Sequence, residues 1–341
     1  MRMRFVQTTA ALHRIELGLN DRKVLFALAQ NCRSPLTLIA KKTGLGRDSV
    51  RYRINRMEKS GIIQGYRTIV DMSKFGYMSV HFLLQLNQPA EDAERRLVET
   101  FKAYQFCRAI LKFNGKYDFE LAVVAKNMGE LDMISTRIIT DCGKYLQHYD
   151  IQFITKFFTA KTFPENFLKH QEKRSEKQSD KKVSQKTILH VPDILDIRLL
   201  DILSDNADIS LLRLAQELGT SADTVKYRMK KLFLAGIIKG FVPVINYEVI
   251  GYSVYAILLN IAGLTPQRES TLAEFLSTSK DVLWAVKLIG KYNLLLYICT
   301  TDSNDLTKTT TALRSYFTEA VKDYETLINY EEYKYTYWVM P

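Results

Sequence analysis

Cysteine and histidine are sparse in this 341-residue chain, with four of the one and five of the other. Cys32, Cys107, Cys142 and Cys299 stand apart, with no C-x-x-C pair and no histidine at metal-ligand spacing. No metal site is therefore expected, and the thiols read as free, in a reducing compartment. Long apolar runs are lacking too. A stretch such as Leu294 to Ile298 has the length of a strand and falls far short of the roughly 18 residues a membrane helix needs. The segment Met1 to Leu19 carries Arg2 and Arg4 but no apolar stretch of signal-peptide length and no small-residue cleavage pattern, so a cytoplasmic location is expected.

What the chain does have is itself twice over, at an offset of 175 residues. Asp21 matches Asp196, Gly44 matches Gly219, and Val50, Tyr52 and Arg53 match Val225, Tyr227 and Arg228. Gly61-Ile-Ile and Gly236-Ile-Ile follow, then Gly76-Tyr and Gly251-Tyr, then Gly115-Lys-Tyr and Gly290-Lys-Tyr. So long a period lies outside the range of solenoid units, and each copy is a domain assembly. A hydrophobic content of 47% gives each copy enough for its own core.

Charge is unevenly divided between the copies. Residues 19–66 hold ten Lys/Arg against three Asp/Glu, a net of +7, whereas 194–241 hold seven against six, a net of +1. A basic block on one small domain is the footprint of a polyanion partner.

The first part of each copy reads as a helix-turn-helix. Val24, Leu25 and Leu28 mark a first helix; Ser34-Pro35 reads as N-cap and first residue of a second, which stops at Gly44. A third block puts Val50, Ile54 and Met57 on one inward stripe, as Val225, Met229 and Leu232 do in the second copy. Around the opposite side lie Arg47, Asp48, Ser49, Arg51, Tyr52, Asn55 and Arg56, and in copy two Asp223, Thr224, Lys226, Tyr227, Lys230 and Lys231. Guanidinium and amide groups on such a face reach guanine and adenine edges, and basic residues at its ends suit phosphates. Arg53 and Arg228 flank the apolar stripe, placed either for a phosphate or for a nearby carboxylate.

These residues carry a resemblance. Asp21 to Gly65, with Leu25, Leu28, Ala40, Gly44, Val50, Arg53 and the exit Gly61-Ile-Ile-Gln-Gly-Tyr66, resembles the DNA-binding domain of the Lrp/AsnC (feast/famine) transcription regulators. Asp196 to Phe241 resembles it again.

After Gly76 and Gly251 the period changes to that of alternating strands and helices in the order βαββαβ. That is the order of a ferredoxin-like sheet with helices on one face, leaving a sheet face rich in Phe, Tyr and Ile to invite a partner. The fold class expected is α+β, two copies of a helix-turn-helix domain followed by a βαββαβ domain. The expected boundaries are an extension over 1–18, modules over 19–66 and 194–241, βαββαβ domains over 67–165 and 242–341, and a polar linker over 166–193 that cannot bury a core. The linker is long enough for the copies to pair within one chain as a pseudo-dimer or with those of a second chain as a homo-oligomer.

The second part of each copy resembles the effector and assembly domain of the same family. The resemblance implies a small effector, commonly an amino acid, near the hairpins Gly115-Lys-Tyr117-Asp118 and Gly290-Lys-Tyr292-Asn293. Asp118 could accept an α-ammonium there; Asn293 has no formal charge to do so. The function implied is a transcription regulator that binds double-stranded DNA, with no cofactor, no catalytic residues and no membrane partner. Two alternatives share the plan. One is an enzyme resembling the sirohaem decarboxylases, which depend on histidine and arginine residues in the effector-type domain, notably a His-Asn-Tyr-like run before the third strand; Phe106 to Phe113 and Val282 to Leu288 hold no histidine. The other is an assembly subunit that does not bind DNA.

Overall fold

The computed structural model describes residues 14–164, 167, 190–316 and 320–340. Most of the expected linker and the first 13 residues of the expected extension lie outside the described residues. In chain order the first copy runs α1 (Leu19–Gln30), α2 (Leu36–Thr43), α3 (Arg47–Lys59), β1 (Ile63–Val70), β2 (Met78–Leu86), α4 (Glu91–Lys102), β3 (Cys107–Asn114), β4 (Phe119–Ala125), α5 (Met128–Cys142) and β5 (Leu146–Ala160). The second runs α6 (Ile194–Asp205), α7 (Leu211–Leu218), α8 (Ala222–Leu234), β6 (Ile238–Ile245), β7 (Ser253–Ile261), α9 (Pro266–Thr278), β8 (Val282–Ile289), β9 (Leu294–Thr300), α10 (Ser303–Tyr316) and β10 (Val321–Tyr335). These elements sort into two compact units, each drawing on both copies.

One unit holds the six short helices with β1 and β6. Its helix stops are where glycine can take a left-handed conformation, Gly44 at φ 71° and Gly219 at φ 67°. Ser210 and Ser221 cap α7 and α8 by accepting from Arg213 N and Thr224 N. The start of α2 differs from expectation by one residue: Pro35 is the N-cap and Ser34 lies outside the helix, because the proline backbone is still extended at ψ 142°. The boundaries expected at 66 and 241 also need correction. They fall inside β1 and β6, which pair antiparallel from Ile63↔Ile245 to Val70↔Ile238. Each strand then packs against the first helix of the other copy, α1 on β6 and α6 on β1. Thr68 Oγ1 donates to the Leu203 carbonyl at 2.7 Å, and Cys32 N–H donates to that of Phe241 at 2.9 Å. Arg33 of copy one donates to the carbonyls of Ala207 and Ile209 of copy two. The two modules are thus one folding unit.

The other unit holds the βαββαβ parts. Each gives a four-stranded sheet, β3-β4-β2-β5 and β8-β9-β7-β10, and the edges join at two seams, β5 with β8 and β10 with β3, into a closed eight-stranded barrel. The sheet face expected to await a partner finds it in the other copy. Leu83, Leu111, Leu258, Val286 and Leu327 are buried in a shared interior, while α4 and α5 cover the outside of the first sheet through Leu97, Phe101, Leu131 and Ile138. Closure leaves the barrel no open edge, the usual site of unwanted pairing. The two copies of this chain thus pair with each other, one of the two arrangements the linker allows.

Candidate nucleic-acid interface

In each module the third helix is amphipathic by spacing alone. Val50 and Met57 of α3, and Val225 and Leu232 of α8, are fully buried, which fixes what the opposite side presents. On α3 this leaves Arg47, Asp48, Arg51, Tyr52 and Asn55 exposed, with Ser49 half-buried. On α8 it leaves Asp223, Lys226, Tyr227 and Lys230 exposed, with Thr224 and Lys231 half-buried. Tyr52 and Tyr227, at equivalent places, are 64% and 65% exposed. Two large rings thus stand in solvent at matching positions of the two modules.

Arg56, exposed on α3, has a partner within its own module. It bends back to Asp21 on α1, Nη2 to Oδ2 at 2.5 Å, beside Arg53, whose Nη1 meets Oδ1 at 2.7 Å. Asp21 is nearly inaccessible to solvent, and a carboxylate there must be paired. Copy two solves the same problem with other residues. Buried Asp196 takes Arg228 at 2.9 Å and His190 at 2.7 Å, and closes a capping box with Asp193. Arg228 holds the Asp193 carboxyl below its usual range. Of the two roles open to Arg53 and Arg228, the carboxylate pairing is the one observed. Asp21 and Asp196 organise both modules, and the signal that could have found them is an acidic residue repeated at the head of an otherwise apolar helix face.

The hairpin residues have work of another kind. Gly115 and Gly290, at φ 150° and 152°, let the hairpins lie against strands of the other copy. A methyl at Gly115 would stand 2.6 Å from Leu327 Cδ2, and one at Gly290 2.6 Å from the Ile151 carbonyl oxygen. Tyr117 and Tyr292, expected to line an effector site, are wholly buried in the barrel interior, because the hairpin folds inward over the partner sheet. Tyr117 hydroxyl donates to Asp150 Oδ2 at 2.5 Å. Asp118 Oδ2 accepts Leu86 N–H at 2.6 Å, and Asn293 Oδ1 accepts Ile261 N–H at 2.9 Å, so the two are structural equivalents. Asn293 also donates to the Ile261 carbonyl at 2.7 Å. Burial pushes the half-buried Asp118 carboxyl up.

Among the described residues no group of histidine, cysteine and carboxylate could hold a metal ion, and no helix is long and apolar enough to cross a membrane. The four cysteines are free, and burial pushes the Cys107 thiol up to about 12, as it does that of Cys32.

Two helix-turn-helix modules with exposed third helices define a DNA-binding class, and comparison agrees: the family model described as winged helix-turn-helix DNA-binding matches residues 18–64 and 192–239. The HTH-type transcriptional regulator LrpA of Pyrococcus horikoshii is 31% identical over 119 residues, 35% of this chain and 83% of that protein. The regulatory protein AsnC of Haemophilus influenzae is 28% identical over 119 residues, 35% of this chain and 79% of that protein. The chain belongs to the Lrp/AsnC family of transcriptional regulators, and carries its plan twice. Over the whole length its fold is similar to that of the siroheme decarboxylase NirDL, with a TM-score of 0.59, 12% identity, and coverage of 93% of this chain and 92% of that one.

Proposed function

We propose that this protein is a cytoplasmic transcription regulator that binds double-stranded DNA as a single-chain pair of unlike modules and has no enzymatic activity. The observation that carries the reading is that one folding unit presents two exposed recognition helices with different side chains. Arg51, Tyr52 and Asn55 stand on one, and Lys226, Tyr227 and Lys230 on the other. A two-fold symmetric dimer reads a palindrome. Unlike helices call for unlike half-sites, with the arginine and asparagine of α3 able to pair bidentately with guanine and adenine and the lysines of α8 suited to phosphate and guanine. No histidine stands on β3 or β8, which favours the regulator over the decarboxylase reading. Footprinting on the gene's own upstream region tests the proposal. The expected result is a non-palindromic protected site, at which Arg51→Ala weakens binding by about 1–3 kcal/mol and relaxes the sequence at one position. A palindromic site, or unchanged binding by the variant, overturns it.

For a small effector we propose an amino acid at the copy-one hairpin, its α-ammonium on Asp118. Asn293 shows that asparagine keeps the backbone contact at this position. Asp118→Asn should therefore fold normally yet lose any amino-acid-induced rise in Tm, and a rise that persists rules Asp118 out.

A further inference from the structure

The barrel interior is polar on one side and apolar at the equivalent positions on the other. On the copy-one sheet, His81 of β2 and Glu120 of β4 are 5% and 2% exposed and meet Nδ1 to Oε1 at 2.8 Å. Copy two completes the set. Tyr297 of β9 donates its hydroxyl to Glu120 Oε2 at 2.7 Å, and the indole of Trp284 on β8 lies parallel to the His81 ring with centroids 5.9 Å apart. At the offset of 175, His81 corresponds to Ala256, Glu120 to Leu295, Tyr297 to Ala122 and Trp284 to Ala109. Ala256, Leu295, Ala122 and Ala109 are all buried.

The strand registers turn these differences into complementary shapes. Across β2, β4 and β3 the row reads His81, Ala122, Ala109, one large side chain and two small. Across β7, β9 and β8 the equivalent row reads Ala256, Tyr297, Trp284, one small and two large. The large groups of each row stand where the other row is small.

We infer that His81, Glu120, Trp284 and Tyr297 form a recognition code by which the two halves of the chain select each other and reject their own kind. Pairing of copy one with another copy one would set Ala122 and Ala109 where Tyr297 and Trp284 now stand. Glu120, 2% exposed, would then lose the donor to its Oε2, beside the space vacated by two half-buried aromatic rings. Copy two paired with itself would set the hydroxyl of the half-buried Tyr297 against Leu295, which offers no acceptor. Only the unlike pair gives Glu120 Oε2 its donor and the Tyr297 hydroxyl its acceptor, so rejection is built from an unmet hydrogen bond as much as from lost packing.

The test uses the full chain with a specific protease site inserted within residues 170–185. After cleavage, protein with an isotope-labelled first half is mixed with unlabelled protein, unfolded in urea and refolded, and the pairs are counted by native mass spectrometry. Unlike pairs should exceed the statistical share of like pairs by at least about tenfold. Like pairs at statistical abundance, or failure of the unlike pair to re-form without its tether, overturn the inference. The paired helix-turn-helix modules remain in the experiment, so a second protein carrying Glu120→Leu and Tyr297→Phe, which keeps volume and removes the polar contact, isolates the code. Its preference should fall by about tenfold. An unchanged preference assigns selection to other residues and overturns the code as stated.

Discussion

Gly115 and Gly290 hold the same hairpin position, but the neighbours a side chain would meet are different. At Gly115 the obstacle is the end of the Leu327 side chain, which can turn aside; at Gly290 it is the backbone oxygen of Ile151, which cannot. Both also sit at a positive φ that L-residues resist. Gly290→Ala should therefore destabilise the protein by about 1–3 kcal/mol and by more than Gly115→Ala, read from urea midpoints. Equal losses would mean that strain in φ, and not the contact, decides. Residue-level reading of the sequence located these glycines and the buried Val50 and Val225, because local spacing encodes them. It did not show what Arg56, Tyr117 and Tyr292 touch within the fold. Their partners, Asp21 in one case and the opposite sheet in the others, come from distant parts of the chain and leave no local trace.

At the seam between β5 and β8, Lys156 and Lys287 are register partners, and two ammonium groups side by side would repel. Glu269, from α9, lies between them and accepts from Lys156 Nζ at 2.6 Å and Lys287 Nζ at 2.5 Å. The two lysines hold its carboxyl below the usual range. Asp150 is likewise lowered: burial alone would raise it, and the Tyr117 hydroxyl and Lys291 ammonium outweigh that. A carboxylate whose pKa is depressed on folding adds stability that is complete above its ordinary value of about 4 and is lost as pH falls through the folded one. Tm should thus drop on acidification from neutrality toward pH about 3, and Glu269→Gln should flatten that drop while lowering stability at neutral pH by about 0.5–1 kcal/mol. An unaltered pH profile in the variant would remove the seam from the account. The βαββαβ order was legible in the sequence because changes of hydrophobic period mark each strand and helix. Strands β1 and β6 were not. Gly61-Ile-Ile-Gln-Gly-Tyr66 is short and glycine-broken, and becomes part of a strand only because its mate, 175 residues away, lies beside it.

For the whole molecule, pairing within the chain should make the DNA-binding form independent of protein concentration, since the partner copy is held at high effective concentration by covalent connection. At saturation one chain should occupy each operator, and the apparent Kd should not steepen on dilution into the range where dimers part. A stoichiometry of two chains per site, measured by titration at duplex concentrations well above Kd, would contradict this. Closure also imposes an order in time. On the ribosome the first sheet, β3-β4-β2-β5, is complete when residue 160 emerges, but its outer strands β5 and β3 are covered by β8 and by β10, the last strand to appear. At translation rates of roughly 5–20 residues per second, β3 stays bare for about 10–35 s. Through that interval neighbouring nascent chains on one message display identical unpaired edges to each other, a setting for aggregation. Arg108 on β3 and Lys156 on β5 put positive charge on both edges during the wait. The cell must shield the rest, so production of this barrel should depend on chaperones far more than its finished, edgeless form suggests.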